Sequence, residues 1–182
     1  MAFGVNLLFN SEMADEISDR WIGLAEAGVS SSMLDLIYPP HVTLAVYDEL
    51  HVTAAVAALD RIFENAEPMM VTLTGLSTFG PGSGVCYATL APSPDLMRLH
   101  ATVAGAIGET CRLHYQMGRW TPHCTLAAGM TDTDTIRARE LLDGDWRSLT
   151  GIFRAASLVE FVPVVDIKRW TLAAKPDATR RP

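Results

Sequence analysis

Cysteine is scarce in this chain: three residues of 182, Cys86, Cys111 and Cys124. So odd and sparse a set excludes a disulfide framework and points to a reducing compartment. Positive charge is short as well. Fourteen Lys and Arg stand against 21 Asp and Glu, giving a net charge of −7. That balance excludes a broad basic face for long duplexes, yet it leaves room for a small phosphate-bearing substrate in a local pocket. No apolar run approaches the ~18 residues of a membrane span. Met1-Ala2-Phe3-Gly4 has neither a basic residue nor the cleavage pattern of a signal peptide. The expectation is a cytoplasmic protein without a membrane partner.

What is present is apolar. Hydrophobic residues make up 49% of the chain and charged ones 19%, enough to bury a core and to exclude a disordered chain. The length suits one domain or two small fused lobes. Strands are expected over 4–9, 41–47, 71–79, 85–90, 121–128, 155–162 and 166–173. Helices are expected from Ser11 to about Ala27, from about Leu50 to Ala66, from Ser93-Pro94 to about Ile107, and from Thr133 to Leu142. Ser11, Ser93 and Thr133 are the expected caps, and residues 29–40 read as a loop. Gly80-Pro81-Gly82-Ser83-Gly84 is the strongest breaker cluster and reads as the junction between two halves. Pro176 to Pro182 read as a tail.

The chain repeats itself once. His41-Val42-Thr43-Leu44-Ala45 is echoed by His123-Cys124-Thr125-Leu126-Ala127, an offset of 82 residues. The same offset places Ser11 on Ser93, Ile17 on Leu99 and Phe79 on Phe161. Motif, caps and buried faces agreeing at one offset imply two halves of similar βαβαβ-like layout. Those halves fall at about 1–80 and 84–174, with exchange of strands between them allowed, and they should face one another about a pseudo-two-fold axis.

Side chains alternate faces along a strand. His41 and Thr43 therefore point one way while Val42 and Leu44 point into the core, and His123 and Thr125 repeat the arrangement. Two such faces across a cleft surround one point with two imidazoles and two hydroxyls. That set suits a phosphodiester. One imidazole removes a proton from the attacking oxygen and the other protonates the leaving oxygen. A pKa near 6.5 makes both protonation states accessible near neutrality. The hydroxyls donate to the phosphoryl oxygens. No metal or cofactor is needed.

These two His-x-Thr motifs, each preceded by proline (Pro40 and Pro122), resemble the 2H phosphoesterase superfamily, which includes bacterial 2′-5′ RNA ligase-like proteins and cyclic phosphodiesterases. The resemblance covers nearly the whole chain. It implies a bilobal α+β fold with antiparallel sheets around a central cleft. It also implies hydrolysis of 2′,3′-cyclic or related cyclic phosphates on nucleotides or RNA ends, with His41, Thr43, His123 and Thr125 at the catalytic positions. Ligation through a 2′-5′ bond and a catalytically idle nucleotide-binding module are the alternatives. Which histidine is the base stays open.

A third copy, His51-Val52-Thr53, tests the value of the tripeptide. It falls on a helix, where residues two apart do not share a face, and reads as a solvated residue of the first turn. His100 shares a helix face with Leu96, Leu99 and Val103 and reads as a hydrogen-bonded core histidine. Cys111, His114, His123 and Cys124 fit no structural-zinc spacing. Gly80 to Gly84 lacks the Lys-Ser/Thr ending of a phosphate loop and reads as a turn. Arg119 and Trp120, just before the second motif, are candidates to hold a phosphate and stack a base, or else a solvated cation and a core indole. Tyr38 and Tyr115 are similar candidates for substrate contact. Arg137 and Arg139 read as the outer face of the last helix.

Overall fold

The computed structural model describes residues 1–173; the expected tail lies outside them. Strand β1 (Ala2–Phe9) leads into helix α1 (Ser11–Glu26), the short α2 (Ser32–Asp35) and β2 (His41–Tyr47). Then come α3 (Val52–Phe63), β3 (Met69–Thr78), β4 (Cys86–Leu90) and α4 (Pro94–Ala106). A 3₁₀ turn at Leu113–Tyr115 precedes β5 (His123–Ala127), α5 (Asp132–Asp145), β6 (Leu149–Phe161) and β7 (Val165–Thr171). The fold is α+β, and every strand pairing is antiparallel.

The strands run in the order β2-β1-β6-β3-β4-β5, with β7 also on β6. Strand β6 lies mid-path and is shared by both sides of the sheet. Its start, Leu149 to Phe153, pairs with β3, whereas Phe153 to Phe161 pairs with β1 and Ala155 to Glu160 with β7. The two end strands of the path, β2 and β5, curl round into contact. Those are the strands that carry the His-x-Thr motifs.

The helices hold their apolar faces to the sheets. Helix α1 buries Met13, Ile17, Trp21 and Leu24, the i, i+4 stripe of an amphipathic helix, and Gly28 ends it at φ +67°. Ser93 caps α4 by accepting the Leu96 N–H, with Pro94 in the first turn. Two caps differ from expectation. Asn10, not Ser11, stands at the α1 cap, and its side-chain oxygen is held at 2.9 Å by the Ile152 N–H of β6. Thr131, not Thr133, caps α5 by accepting the Asp134 N–H. Within the expected loop at 29–40, Ser32–Asp35 forms one helical turn.

Residues 80–84 join β3 to β4, which pair with each other from Leu73 to Thr78. The breaker cluster is therefore a hairpin turn inside one sheet. Gly84 has φ +61°, and a Cβ there would press into the Met130 carbonyl oxygen and stand 2.9 Å from the Met130 nitrogen. Gly84→Ala is expected to cost about 2–4 kcal/mol, from left-handed strain plus backbone displacement. A thermal melt that leaves Gly84→Ala at the wild-type midpoint would contradict that close approach.

Candidate active site

His41 opens β2 and His123 opens β5. Both follow a proline, whose fixed φ and missing N–H end the preceding loop in extended backbone. Alternation along each strand then buries Val42, Leu44, Cys124 and Leu126 and leaves His41, Thr43, His123 and Thr125 half-buried. The motif residues share one side of their strands, as the sequence required.

The imidazoles are held alike. His41 Nδ1 lies 2.9 Å from the Pro39 carbonyl oxygen and His123 Nδ1 lies 2.7 Å from that of Thr121. A carbonyl only accepts, so each Nδ1 carries the proton and donates it. Each neutral ring thus keeps its lone pair on Nε2, and among the described residues neither Nε2 has a partner. Burial lowers the pKa of both rings. His41 falls furthest, to about 4, chiefly through its burial, with a smaller lowering from charge on His123. The two rings are close enough to feel one another.

Indoles from opposite halves fix both strands. Trp120 Nε1 donates to the Thr43 carbonyl at 3.0 Å, and Trp21 Nε1 donates to the Thr125 carbonyl at 3.3 Å. Trp120 is 6% exposed and one of its faces lies on His100, centroids 4.1 Å apart and planes 7° from parallel. The base-stacking expectation for Trp120 is thereby corrected: its ring belongs to the core, as the second reading had it. His100 is buried and bonded through Nε2 to the Tyr115 carbonyl at 2.8 Å.

The flanks of the pair differ. Beside His41 is a cavity of about 310 Å³ lined by Asn6, Leu36, Tyr38, Thr43, Tyr115 and Phe161 among others, none of them Lys or Arg. Tyr38 and Tyr115 are thus both at the site, and the Tyr38 ring meets His41 edge-on at 5.0 Å. Beside His123 lies an aromatic stack. Phe79, 48% exposed, is 4.4 Å from Tyr87, and the two rings meet His123 edge-on at 4.9 and 5.2 Å. Arg119 is exposed on the loop before β5 and does not line the cavity.

Sequence reasoning missed Asn6, Phe79 and Tyr87. The readable signal for Asn6 was an amide inside the apolar run Gly4-Val5-Asn6-Leu7-Leu8, since a buried amide needs partners. Phe79 and Tyr87 flank the breaker cluster, and only the pairing of β3 with β4 brings them together. His51 stands just before α3, its side chain 89% exposed and bonded to Glu109. Arg137 and Arg139 lie on the exposed side of α5. Among the described residues, no group of three or more His, Cys, Asp or Glu is gathered to hold a metal. No helix among them is long and apolar enough to cross a membrane.

The family model of the 2′-5′ RNA ligase superfamily matches residues 35–162, a span that includes both motifs. This chain belongs to that superfamily. No curated protein matches it. The fold is that of TT0787 of Thermus thermophilus, with a TM-score of 0.62 at 16% identity over 97% of this chain and 100% of that one. It is also that of E. coli LigT in apo form, with a TM-score of 0.62 at 14% identity over 96% and 99%. E. coli LigT complexed with 3′-AMP aligns with a TM-score of 0.58 at 14% identity, covering 94% of this chain and 97% of that one.

Proposed function

We propose that this chain is a metal-independent phosphoesterase that opens 2′,3′-cyclic phosphates of nucleotides or RNA ends. The observation that carries the reading is the matched pair of imidazoles. Each has Nδ1 tied to its own backbone and Nε2 left for chemistry, and both motifs fall inside the span that matches the 2′-5′ RNA ligase superfamily. Water attacks phosphorus as His41 Nε2 takes its proton. The bond from phosphorus to one ring oxygen breaks, and His123 gives that oxygen a proton, leaving a monoester. His41 has the more depressed pKa and is the more fully neutral of the two, which suits it to be the base. Imidazolium at His123 and the Thr43 and Thr125 hydroxyls face the negative phosphoryl group. The cavity beside His41, with Tyr38 and Tyr115, is the place for the organic part of the substrate, and the exposed Phe79 ring is a second stacking surface. Arg119 is left to meet outer phosphates of a longer substrate. A nucleotide monoester at E. coli LigT supports a product of this kind.

The same ring opening with a 5′-hydroxyl in place of water, which forms the P–O5′ bond as the 3′ oxygen leaves with a proton, gives a 2′-5′ linkage by the same base and acid, and the superfamily's name favours it as the second reading. Incubation with 2′,3′-cyclic nucleotides in EDTA, followed by detection of the monoester, tests the first. Full turnover in EDTA is expected; a rate abolished by EDTA and restored by a metal would overturn the metal-independent scheme. Thr43→Val and Thr125→Val should each slow the reaction about ten- to a hundredfold, since a hydrogen bond to a charged group contributes roughly 1.5–3 kcal/mol. Wild-type turnover in both would remove the hydroxyls from the mechanism.

A further inference from the structure

The two halves are not equal at the position opposite the motif threonine. In β1 the register passes from Val5↔Ala45 directly to Asn6↔Thr43, so Leu44 is bulged out. In β4 it passes from Cys86↔Ala127 to Tyr87↔Thr125, bulging Leu126. Residues paired across an antiparallel ladder lie on the same face. The same bulge, repeated in both halves, therefore places Asn6 beside Thr43 and Tyr87 beside Thr125. Bulges of this kind re-aim side chains next to sites.

Asn6 is 3% exposed inside an apolar strand, a costly place for an amide unless it is bonded. Its Oδ1 accepts the Thr43 hydroxyl at 2.9 Å, and its Nδ2 lies 3.4 Å from the Tyr38 phenol oxygen. The phenol is in turn bonded to Ser157, a fully buried residue that faces Asn6 across β1 and β6. Four polar side chains from three adjacent strands and the loop before β2 thus form one chain that ends at the site. Tyr87 heads no such chain, and among the described residues the Thr125 hydroxyl has no side-chain partner.

We propose that Asn6, backed by Tyr38 and Ser157, is the positioning residue that presents the Thr43 hydroxyl to the phosphoryl group, an inference that rests on the reading of the site as a phosphoesterase. As it stands, Thr43 donates to Asn6. A half-turn of the Asn6 amide reverses the chain: Nδ2 donates to Thr43 Oγ1, the Tyr38 hydroxyl donates to Asn6 Oδ1, and Ser157 donates to Tyr38. The two hydroxyls can each donate or accept, so Asn6, Tyr38 and Ser157 keep the same partners in both senses. In the reversed sense the Thr43 hydrogen is free to bond a phosphoryl oxygen. The first motif thereby holds its hydroxyl in a set place, and the second leaves its hydroxyl free to turn.

A double-mutant cycle tests this, with kcat and KM on a 2′,3′-cyclic nucleotide and Kd for inorganic phosphate measured on each variant. Asn6→Leu is expected to lower kcat about ten- to thirtyfold while KM moves less than about threefold. Added to Thr43→Val, it should cost nothing further, within about twofold, because the two act through one hydroxyl. Added to Thr125→Val, it should multiply. Tyr38→Phe, which keeps the ring on His41 and loses only the phenol oxygen, should lower kcat in the same direction, and this loss too should vanish in the Thr43→Val background. Should Asn6→Leu fail to fold, the Tyr38→Phe cycle decides alone. Losses that multiply with Thr43→Val would overturn the proposal, as would unchanged kcat in Asn6→Leu and Tyr38→Phe. If the wild type opens no cyclic nucleotide, the functional reading fails by itself, and the same cycle on phosphate affinity still decides whether Asn6 acts through Thr43.

Discussion

Replacing either His41 or His123 with alanine is expected to slow cyclic-phosphate opening by about 10²–10⁴-fold, the usual loss for one positioned acid or base. The double variant should be little slower than either single one, because the second group has nothing left to assist once the first is gone. The two singles should still differ in how they respond to pH. Without His41 the remaining group must be protonated, so the residual rate should fall as pH rises. Without His123 the remaining group must be neutral, so the residual rate should rise with pH and level off once His41 is neutral, still on the acid side of 6.5 because its burial persists. If the two slopes are exchanged, so are the roles of base and acid. The wild-type kcat/KM should be bell-shaped with its maximum on the acid side of 6.5, since burial lowers both rings in the free protein. Bound phosphate favours the charged rings, so the kcat profile should lie at higher pH. His51→Ala is the control. It carries the same tripeptide, but its ring is exposed and bonded to Glu109 just before α3, and it should run at the wild-type rate. A loss there as large as in His41→Ala would show that the tripeptide acts without the β2 geometry.

Much of the site was legible because it obeys local rules. Period-two alternation placed His41 with Thr43 and His123 with Thr125, and the 82-residue repeat required the two pairs to be related. The same rules put His51 elsewhere and His100 in the core. What escaped was non-local. Gly80–Gly84 has the composition of any turn, and nothing in the residues distinguishes a hairpin inside one sheet from a junction between halves. Strand β6 begins at Leu149, ahead of the expected start at Ala155, because Gly151 interrupts the apolar run. That glycine is needed: a Cβ there would stand 2.9 Å from Met13 Cβ and 2.7 Å from Asn10 Oδ1, where α1 begins over the sheet. The bulges at Leu44 and Leu126 are equally silent in sequence, yet they decide that Asn6 and Tyr87 join the site. A one-residue slip in register exchanges the faces of everything beyond it, so strand alternation alone reads the motif but not its neighbours. Trp120 stayed open between a stacking surface and a core indole for a related reason. Its position beside the motif suggested the cleft, whereas the ring of His100, on a helix well before it in sequence, claims its face.

Stability should fall steeply between pH 6.5 and 5, and the site itself is the cause. His41, His123 and His100 all have pKa values lowered by burial. Their unfolded counterparts titrate near 6.5. Between the folded and unfolded values the unfolded chain binds protons that the folded one does not, so stability rises with pH across that window. The contribution is fully present above 6.5 and drains away as pH falls toward the folded values, which for His41 is about 4. His41 alone should remove about 2 kcal/mol by pH 5, at roughly 1.4 kcal/mol per pH unit. His123 and His100 add losses of the same sign. The carboxylates with lowered pKa, Asp48, Asp60 and Glu109, lose their contribution only at lower pH, so the window from 6.5 to 5 belongs to the histidines. Inorganic phosphate should flatten the slope, because an anion between the rings lets them charge without unfolding. His41→Asn, which cannot titrate, should flatten it too, by close to one proton. Chemical denaturation at several pH values, with and without phosphate, measures both. A wild-type stability constant from pH 7 to 5 would show that the imidazoles charge freely in the folded protein, and the neutral His41 on which the base assignment depends would be lost with it.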